Sequence, residues 1–255
     1  MTSPYVDFSA PAGLRTRGTV LVVAGRGEVP ASYARFGARL AADAYRVRVL
    51  PAPALDEADL TGSLARFAAG LAEAVAGVEE PVRPLVLVGA DLGAAALGAL
   101  VARPEPAAAW WPEAVVLAGL PGYDAHRTAV WDDELDARTH CPVHRGVLTG
   151  DPSVQRGALG TTVPPALLDA VYGSTTELPH LLLVGDADPL ASRADLARAA
   201  KSLPAARLAV VRGAHHDVLN DLQHRSVAAE VVGFLEALRA APPLAPVVHA
   251  ESSSW

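Results

Sequence analysis

The sequence predicts an α/β fold: one mostly parallel sheet with helices on both faces. Short apolar runs typical of strands alternate along the chain with Ala-, Leu- and Arg-rich stretches of helical period. A helix between each pair of successive strands is the pattern of parallel sheets. The chain has 255 residues, of which 51% are hydrophobic and 19% charged. It is therefore long enough for one large soluble domain with a full core.

Strands and helices are predicted to alternate in the first half of the chain. The strands are continuous or alternating apolar runs, at 19–25, 45–51, 84–89 and 113–119. The helices have apolar side chains about one turn apart, at 31–44 (with Pro30 in the first turn), 57–78 and from the third strand to about residue 102. In such sheets, ligands bind beyond the carboxyl ends of the strands.

The regular pattern stops at residue 121 and returns near residue 179. Residues 121–178 are rich in Pro, Gly, His, Asp and Thr, with one clearly helical piece near 164–172, and are predicted to be a small irregular cap. Strands follow at 180–186 and 207–213, and helices at 191–201 and 221–239. The predicted core is thus 1–120 with 179–240. The tail, 241–255, is expected to be disordered or docked through Trp255.

Composition excludes several classes of function. The net charge of −7, with no basic stripe, argues against a nucleic-acid partner. Cys141 is the single cysteine, so no internal disulfide can form. The N-terminus lacks a signal-peptide pattern, and no apolar run reaches the roughly 18 to 20 residues of a membrane span. We expect a cytoplasmic protein with a small-molecule substrate and no membrane partner. A homodimer is left open.

Residues 85–97, LVLVGADLGAAAL, have the outline of a strand, a sharp turn and a helix. Glycines at 89 and 93 leave room for a turn that exposes the middle residue. In most enzymes with this outline that residue is serine, and here it is Asp91. A carboxylate at this position needs a chemical explanation.

Together with three further motifs, this stretch resembles the α/β-hydrolase family over residues 18–240. AGRGEVPASYARFGARLA (24–41) is similar to the oxyanion loop and helix of monoglyceride-lipase-like members, and VGADLG (88–93) to the nucleophile elbow. LVGDADPL (183–190) resembles the acid turn and VRGAHHDVLND (211–221) the histidine turn. The order nucleophile, acid, histidine is that of the fold. The resemblance places the acid on Asp188 and the histidine on His216.

The chain departs from the family pattern in three places. Ala24 replaces a histidine before the oxyanion loop, and Asp91 replaces serine, which disfavours a serine-type esterase. The N-terminal segment is also too short for a full pair of leading strands, so we expect fewer than eight strands.

The chemistry of a carboxylate nucleophile narrows the reaction. Attack of a carboxylate on an ester gives an anhydride that returns to reactants, whereas attack on an sp³ carbon gives a stable ester that water can cleave. Asp91 as nucleophile therefore indicates an epoxide or a halide, as in the epoxide hydrolases and dehalogenases that this elbow resembles. His216, oriented by Asp188, would activate the water, and the N–H groups of Arg26 and Leu92 would form the oxyanion hole. No cofactor is expected.

The residue after the nucleophile favours an epoxide. The dehalogenases place Trp there to bind the departing halide, and here Leu92 follows Asp91. An epoxide oxygen needs a proton, for which the resemblance suggests cap tyrosines. Tyr123 and Tyr172 are the candidates by location, and Trp131 is a candidate pocket residue.

Other interpretations of these residues remain open. The Asp91 and His216 pair could be acid and base in a cyclising or isomerising enzyme of secondary metabolism, or relics in a ligand-binding homologue. Asp186 and Asp124 are alternatives for the acid, and His215 is an alternative for the histidine. Asn220 or Asp221 is expected to cap the last helix, and Arg26 to face solvent.

Two apparent motifs are weak. HCPVH (140–144) has metal-ligand spacing but no second cluster, so no zinc site is predicted. GRGE (25–28) has Pro30 where a dinucleotide-binding loop needs glycine. Trp110 and Trp111 are expected to pack in the core.

Overall fold

The computed structural model describes residues 5–79, 81–125, 128, 130–240 and 244–248. Within them the chain forms one seven-stranded sheet in the order β1-β3-β2-β4-β5-β6-β7. Only β1 is antiparallel to its neighbour, β3, and the other described pairs are parallel. The predicted mostly parallel sheet of fewer than eight strands is therefore confirmed. The strands are β1 (Val6–Phe8), β2 (Gly18–Val23), β3 (Tyr45–Leu50), β4 (Leu85–Ala90), β5 (Ala114–Ala118), β6 (His180–Gly185) and β7 (Ala206–Val211).

Helices cover both faces of this sheet. Side chains that alternate along each strand enter two separate cores, so Leu87 and Val88 of β4 belong to opposite faces. Helices α1 and α8 pack on the face of Val88, and α2, α3, α6 and α7 on the face of Leu87. The helices are α1 (Ala34–Ala42), α2 (Leu60–Ala76), α3 (Leu92–Val101), α4 (Trp131–Arg138), α5 (Pro142–Gly150), α6 (Pro165–Tyr172), α7 (Arg193–Ser202) and α8 (His224–Arg239).

The inserted segment between β5 and β6 contains more helix than its sequence predicts. The helix expected near 164–172 is α6, but α4 and α5 also form there. The prediction of a single helix in this segment was wrong, for a physical reason. Helix α4 has two charged residues buried on one face, Glu134 and Arg138, so its apolar periodicity is weak. Helix α5 begins at a proline and includes Gly146, residues that are typical of loops.

The ends of the chain add little to the sheet. The three-residue strand β1 was not predicted, because so short a run has no periodicity of its own. Of the predicted tail, residues 241–243 and 249–255, with Trp255, lie outside the described residues, and 244–248 contain no helix or strand. In the described part of the chain, no helix is long and apolar enough to cross a membrane.

Candidate functional site

Asp91 occupies a sharp turn between β4 and α3. Its backbone has φ 48° and ψ −116°, a conformation that non-glycine residues rarely adopt, and its N–H donates to the Ala118 carbonyl at 3.0 Å. A Cβ atom at Gly89 would lie 2.6 Å from the Ala94 backbone, and one at Gly93 would lie 2.7 Å from the carbonyl oxygens of Val23 and Ala24. The two glycines therefore allow α3 to approach the sheet closely enough to form the elbow.

The three residues predicted to be catalytic lie side by side. His216 Nδ1 is 3.0 Å and 3.1 Å from the two carboxylate oxygens of Asp188, and His216 Nε2 is 3.2 Å from Asp91 Oδ1. The Nε2 contact is an ion-pair distance without hydrogen-bond alignment. The histidine turn is fixed by the cap, because the His216 N–H donates to the Ala137 carbonyl at the end of α4.

The backbone and the side chain of Arg26 both bind the Asp91 carboxylate. Its backbone N–H and Nε donate to Asp91 Oδ2 at 2.9 Å and 2.8 Å, and its Nη2 donates to Oδ1 at 2.8 Å. The Arg26 side chain is 7% exposed, so the expectation that it faces solvent was wrong. The reason is electrostatic: a carboxylate buried at the elbow needs a nearby cation, and Arg26 directly follows the glycine beyond β2.

The charges around the elbow shift two pKa values strongly. Although burial opposes it, the charges of Arg26 and His216 and the hydrogen bonds from Arg26 hold the pKa of Asp91 well below its ordinary value. Burial also disfavours protonated His216, but the charge and hydrogen bond of Asp188, together with Asp91, raise the pKa of His216 to about 10. At neutral pH, Arg26 and His216 are therefore cations that balance the anions Asp91 and Asp188.

The rival residues have other partners. Asp186 accepts a hydrogen bond from the Gly213 N–H at 2.6 Å, and Asp124 is exposed. His215 stacks on His140, with ring centroids 3.8 Å apart, and pairs with Asp221. The predicted capping of α8 was wrong: the residue before α8 is Gln223, which makes no side-chain cap. Asp221 instead accepts hydrogen bonds from the segment joining α4 to α5, at Thr139, His140 and Cys141.

Two cavities meet at Arg26. The larger, of about 650 Å³, also borders Leu92, the residue after Asp91, and continues along Pro51, Leu55 and Gln155. The smaller, of about 280 Å³, lies under the cap and includes Tyr123. A void of about 10 Å³ lies behind them, against Asp91 and His216, which is close to the space of one water molecule.

The cap residues predicted to bind substrate do not converge on Asp91. The Tyr172 hydroxyl donates to the Pro121 carbonyl at 2.9 Å, and the Tyr123 hydroxyl donates to Asp169 at 2.9 Å. Trp131 packs in an apolar cluster within the cap, with the Arg156 guanidinium 5.2 Å from its ring centroid. The proton-donor role of the tyrosines therefore stays a prediction, and Tyr123 has the better location because it lines a cavity.

A second buried polar cluster joins the oxyanion loop to the cap. His144 Nε2 is 2.9 Å from Asp217 Oδ2 and 3.7 Å from Glu28 Oε1, and Tyr33 donates to the other oxygen of Glu28. Burial, followed by the negative charge of Asp217, raises the pKa of Glu28 to about 7. Sequence analysis missed this cluster, although Glu28 belongs to the GRGE segment and Asp217 follows the predicted histidine.

The second cluster also contains three side chains of the types that bind metal ions. Glu28, His144 and Asp217 each offer a ligand atom within 4.8 Å of the others. The Arg138 guanidinium, 3.4 Å from Asp217 Oδ1, already supplies positive charge there. Of the HCPVH motif only His144 joins this group, since Cys141 contacts Arg35.

The fold is shared with solved structures of low sequence identity. A monoacylglycerol lipase from Paleococcus ferrophilus is 19% identical, with a TM-score of 0.68 over 92% of this chain and 98% of that one. A soluble variant of the Saccharomyces cerevisiae monoglyceride lipase, solved with a substrate analogue, is 15% identical, with a TM-score of 0.68 over 91% and 90%. A type II thioesterase from the yersiniabactin biosynthetic pathway is 17% identical, with a TM-score of 0.55 over 90% and 97%.

No protein-family model matches this sequence, and no functionally curated protein is significantly similar to it. Identities below 20% together with nearly complete coverage support a statement about architecture alone. The chain has the α/β-hydrolase fold.

Proposed function

We propose that this chain is a cofactor-independent hydrolase that opens an epoxide through an ester formed on Asp91. The observation that carries the proposal is the unequal placement of the two Asp91 oxygens. Oδ2 is bound by the backbone N–H of Arg26, whereas Oδ1 faces Nε2 of His216. A carboxylate nucleophile needs one oxygen held as a future carbonyl oxygen and the other able to attack. Oδ1 becomes able to attack once Arg26 Nη2, which donates to it at 2.8 Å, has moved away.

The first step forms the ester. Asp91 Oδ1 attacks an epoxide carbon, the carbon–oxygen bond of the ring breaks, and the ring oxygen takes up a proton. We assign that proton to a cap tyrosine, and Tyr123 is better placed than Tyr172 because it lines a cavity. During this step His216 stays an imidazolium beside Oδ1.

The second step cleaves the ester. Esterification removes the negative charge of Asp91, one of the causes that hold His216 protonated, so His216 gives its proton through solvent to the tyrosinate and can then accept a proton from water. The resulting hydroxide adds to the Asp91 carbonyl carbon, and the Arg26 N–H stabilises the charge on Oδ2. Collapse expels the alcohol, which receives the proton from His216. The carboxylic acid left on Asp91 then protonates His216, which restores the resting pair, and Asp188 holds the imidazole throughout.

The neighbouring structures support the broad class of this reaction. Two of them are named as monoglyceride lipases and one as a thioesterase, all of which cleave bonds with water. The finer assignment to an epoxide rests on the carboxylate at the elbow, because a carboxylate is a poor catalyst of ester cleavage. Leu92, in place of a halide-binding Trp, disfavours a haloalkane.

The test is intact-protein mass spectrometry of His216→Gln after exposure to a panel of epoxides, with Asp91→Asn as the matched control. Without its base, the ester on Asp91 should accumulate, and its mass should equal that of the protein plus one epoxide. The control should stay unmodified. If folded His216→Gln acquires no mass from any epoxide, the nucleophilic role of Asp91 is contradicted.

A second candidate function is acid–base chemistry without a covalent step, or ligand binding alone. It is favoured by the low exposure of Asp91, 2%, and by the guanidinium of Arg26 that covers both carboxylate oxygens. In that case Asp91 and His216 would exchange protons with a ligand that cyclises or isomerises. The mass-spectrometry experiment distinguishes the two candidate functions, because only the covalent mechanism leaves an adduct.

A further inference from the structure

Arg26 stands between the cavities and the elbow. It borders both the 650 Å³ and the 280 Å³ cavity while its guanidinium lies on Asp91. Among the described residues that line these two cavities, it is the single cationic side chain. A ligand in either cavity therefore meets one positive charge, and that charge is already paired with the carboxylate proposed to react.

Access to Asp91 requires the guanidinium to leave it. A neutral ligand that displaced Arg26 would separate the guanidinium from the carboxylate that now pairs with it. With either kind of ligand, Asp91, His216 and Asp188 would hold two carboxylates against one imidazolium, so the two ligands differ in whether the displaced guanidinium is paired. Uncompensated charges of this kind are costly to bury. An anionic group on the ligand would pair with Arg26 instead, so that the displacement exchanges one ion pair for another.

The remaining wall of the larger cavity indicates what the anionic group is attached to. Pro51, Ala52, Pro53 and Leu55 form an apolar stretch, whereas Gln155 and Thr162 offer polar groups on the cap side. A compact, strongly hydrated polyanion would meet one cation only and would face the carboxyl groups of Glu28 and Glu57, which line the same cavity. A single carboxylate on an aliphatic chain matches both the one cation and the apolar wall.

We propose that the larger cavity takes an aliphatic carboxylic acid, whose carboxylate pairs with Arg26 and draws the guanidinium away from Asp91. The consequence for catalysis rests on the proposed function: a substrate that carries both a carboxylate and an epoxide would free the nucleophile as it binds. The binding itself does not depend on that chemistry. Arg26 would then select the substrate, and it would cover Asp91 when no substrate is bound.

The test measures binding rather than turnover. Octanoate, octanamide and octan-1-ol have the same chain length, and only octanoate is charged. Each is titrated into the protein by isothermal titration calorimetry. The wild type should bind octanoate about tenfold or more tightly than octanamide, the difference expected for hydrogen bonds to a charged group. Arg26→Gln should lose that preference. Arg66→Gln, the same change at an arginine that is 65% exposed on α2, should keep it.

A second variant covers the case in which Arg26→Gln does not fold. Arg26→Lys keeps the charge but not the planar fork, so it should bind octanoate more weakly than wild type and still prefer it to octanamide. Equal binding of octanoate and octanamide by the wild type, a preference that survives in folded Arg26→Gln, or no octanoate binding would each overturn the proposal. None of these results bears on the epoxide adduct, so the two proposals can fail separately.

Discussion

At the scale of single residues, the chemistry at the elbow is governed by four buried charges. Arg26 and His216 are the cations, and Asp91 and Asp188 the anions, with contacts of 2.8 to 3.2 Å between them. The raised pKa of His216 has a thermodynamic consequence, because the folded protein holds a proton that the unfolded chain releases near the ordinary histidine value. The contribution of His216 to stability is therefore complete below about pH 6.5 and is lost as the pH rises to about 10.

Replacing Asp91 should lower the pKa of His216. In Asp91→Asn the imidazolium keeps Asp188 but loses one of its two carboxylate partners, so the pKa should fall by about one unit or more. The measurement is an NMR titration of the imidazole carbon shifts in both proteins. The signals of His224, which lies on α8 and hydrogen-bonds the Asp221 carbonyl, serve as the internal control. An unchanged His216 titration would mean that Asp188 alone sets its protonation.

The predictability of the site differs from residue to residue. Asp91, Asp188 and His216 could be located from sequence because each belongs to a short motif at the end of a predicted strand. The partners of Arg26 could not, since they depend on where a flexible side chain turns after the sheet and cap have assembled. Asp221 was predicted to cap α8 because local sequence suggests a local bond. In the structure its carboxylate instead binds a segment about eighty residues away.

At the scale of elements, the strand–elbow–helix unit depends on close contact between β4 and α3. Most strands of the sheet were predictable because their apolar residues are continuous or alternate along the chain, as in β4, where every residue is buried. Helix α4 was not predictable, because Glu134 and Arg138 are buried as an ion pair where the helical pattern calls for apolar side chains. Helix α5 was missed because it begins at a proline and includes Gly146. A pattern of hydrophobicity cannot reveal a buried pair of charges.

Gly89→Ala should disrupt this unit. The added methyl group would lie 2.6 Å from the backbone of Ala94, which cannot move without displacing the start of α3. We expect the free energy of unfolding to fall by about 2 kcal/mol, together with loss of the adduct in the His216→Gln background. Gly70→Ala in α2 is the matched control, since its Cβ would meet nothing within 4 Å. That change should raise stability by about 0.5 to 1 kcal/mol. Urea unfolding of both variants provides the comparison, and equal stabilities would contradict the close-contact explanation.

At the scale of the whole molecule, α6 of the cap packs into the apolar core, and α4 and α5 are also joined to the core through polar groups. Arg138 of α4 donates to the Arg26 carbonyl at 2.6 Å, and His144 of α5 pairs with Asp217 of the histidine turn. Glu28 lies among them, between the oxyanion loop and the cap. The geometry of the elbow and the docking of the cap therefore share one buried network, whose charge depends on whether Glu28 holds a proton.

Glu28→Gln should change how stability depends on pH. The pKa of Glu28 is raised to about 7 by burial and by Asp217, so the folded state keeps a proton that the unfolded chain gives up near pH 4.5. Because the folded state binds more protons between these values, this carboxyl lowers the free energy of unfolding as the pH rises from about 4.5 to about 7. Glutamine keeps an oxygen that can accept a hydrogen bond from Tyr33, and it never ionises.

Relative to wild type, Glu28→Gln should therefore gain stability at pH 8 compared with pH 5, measured by urea unfolding at both values. Glu73→Gln, at an exposed position on α2, should show no such gain. If the stability difference between Glu28→Gln and wild type is the same at both pH values, Glu28 is already ionised in the folded protein at pH 5, and the prediction is contradicted.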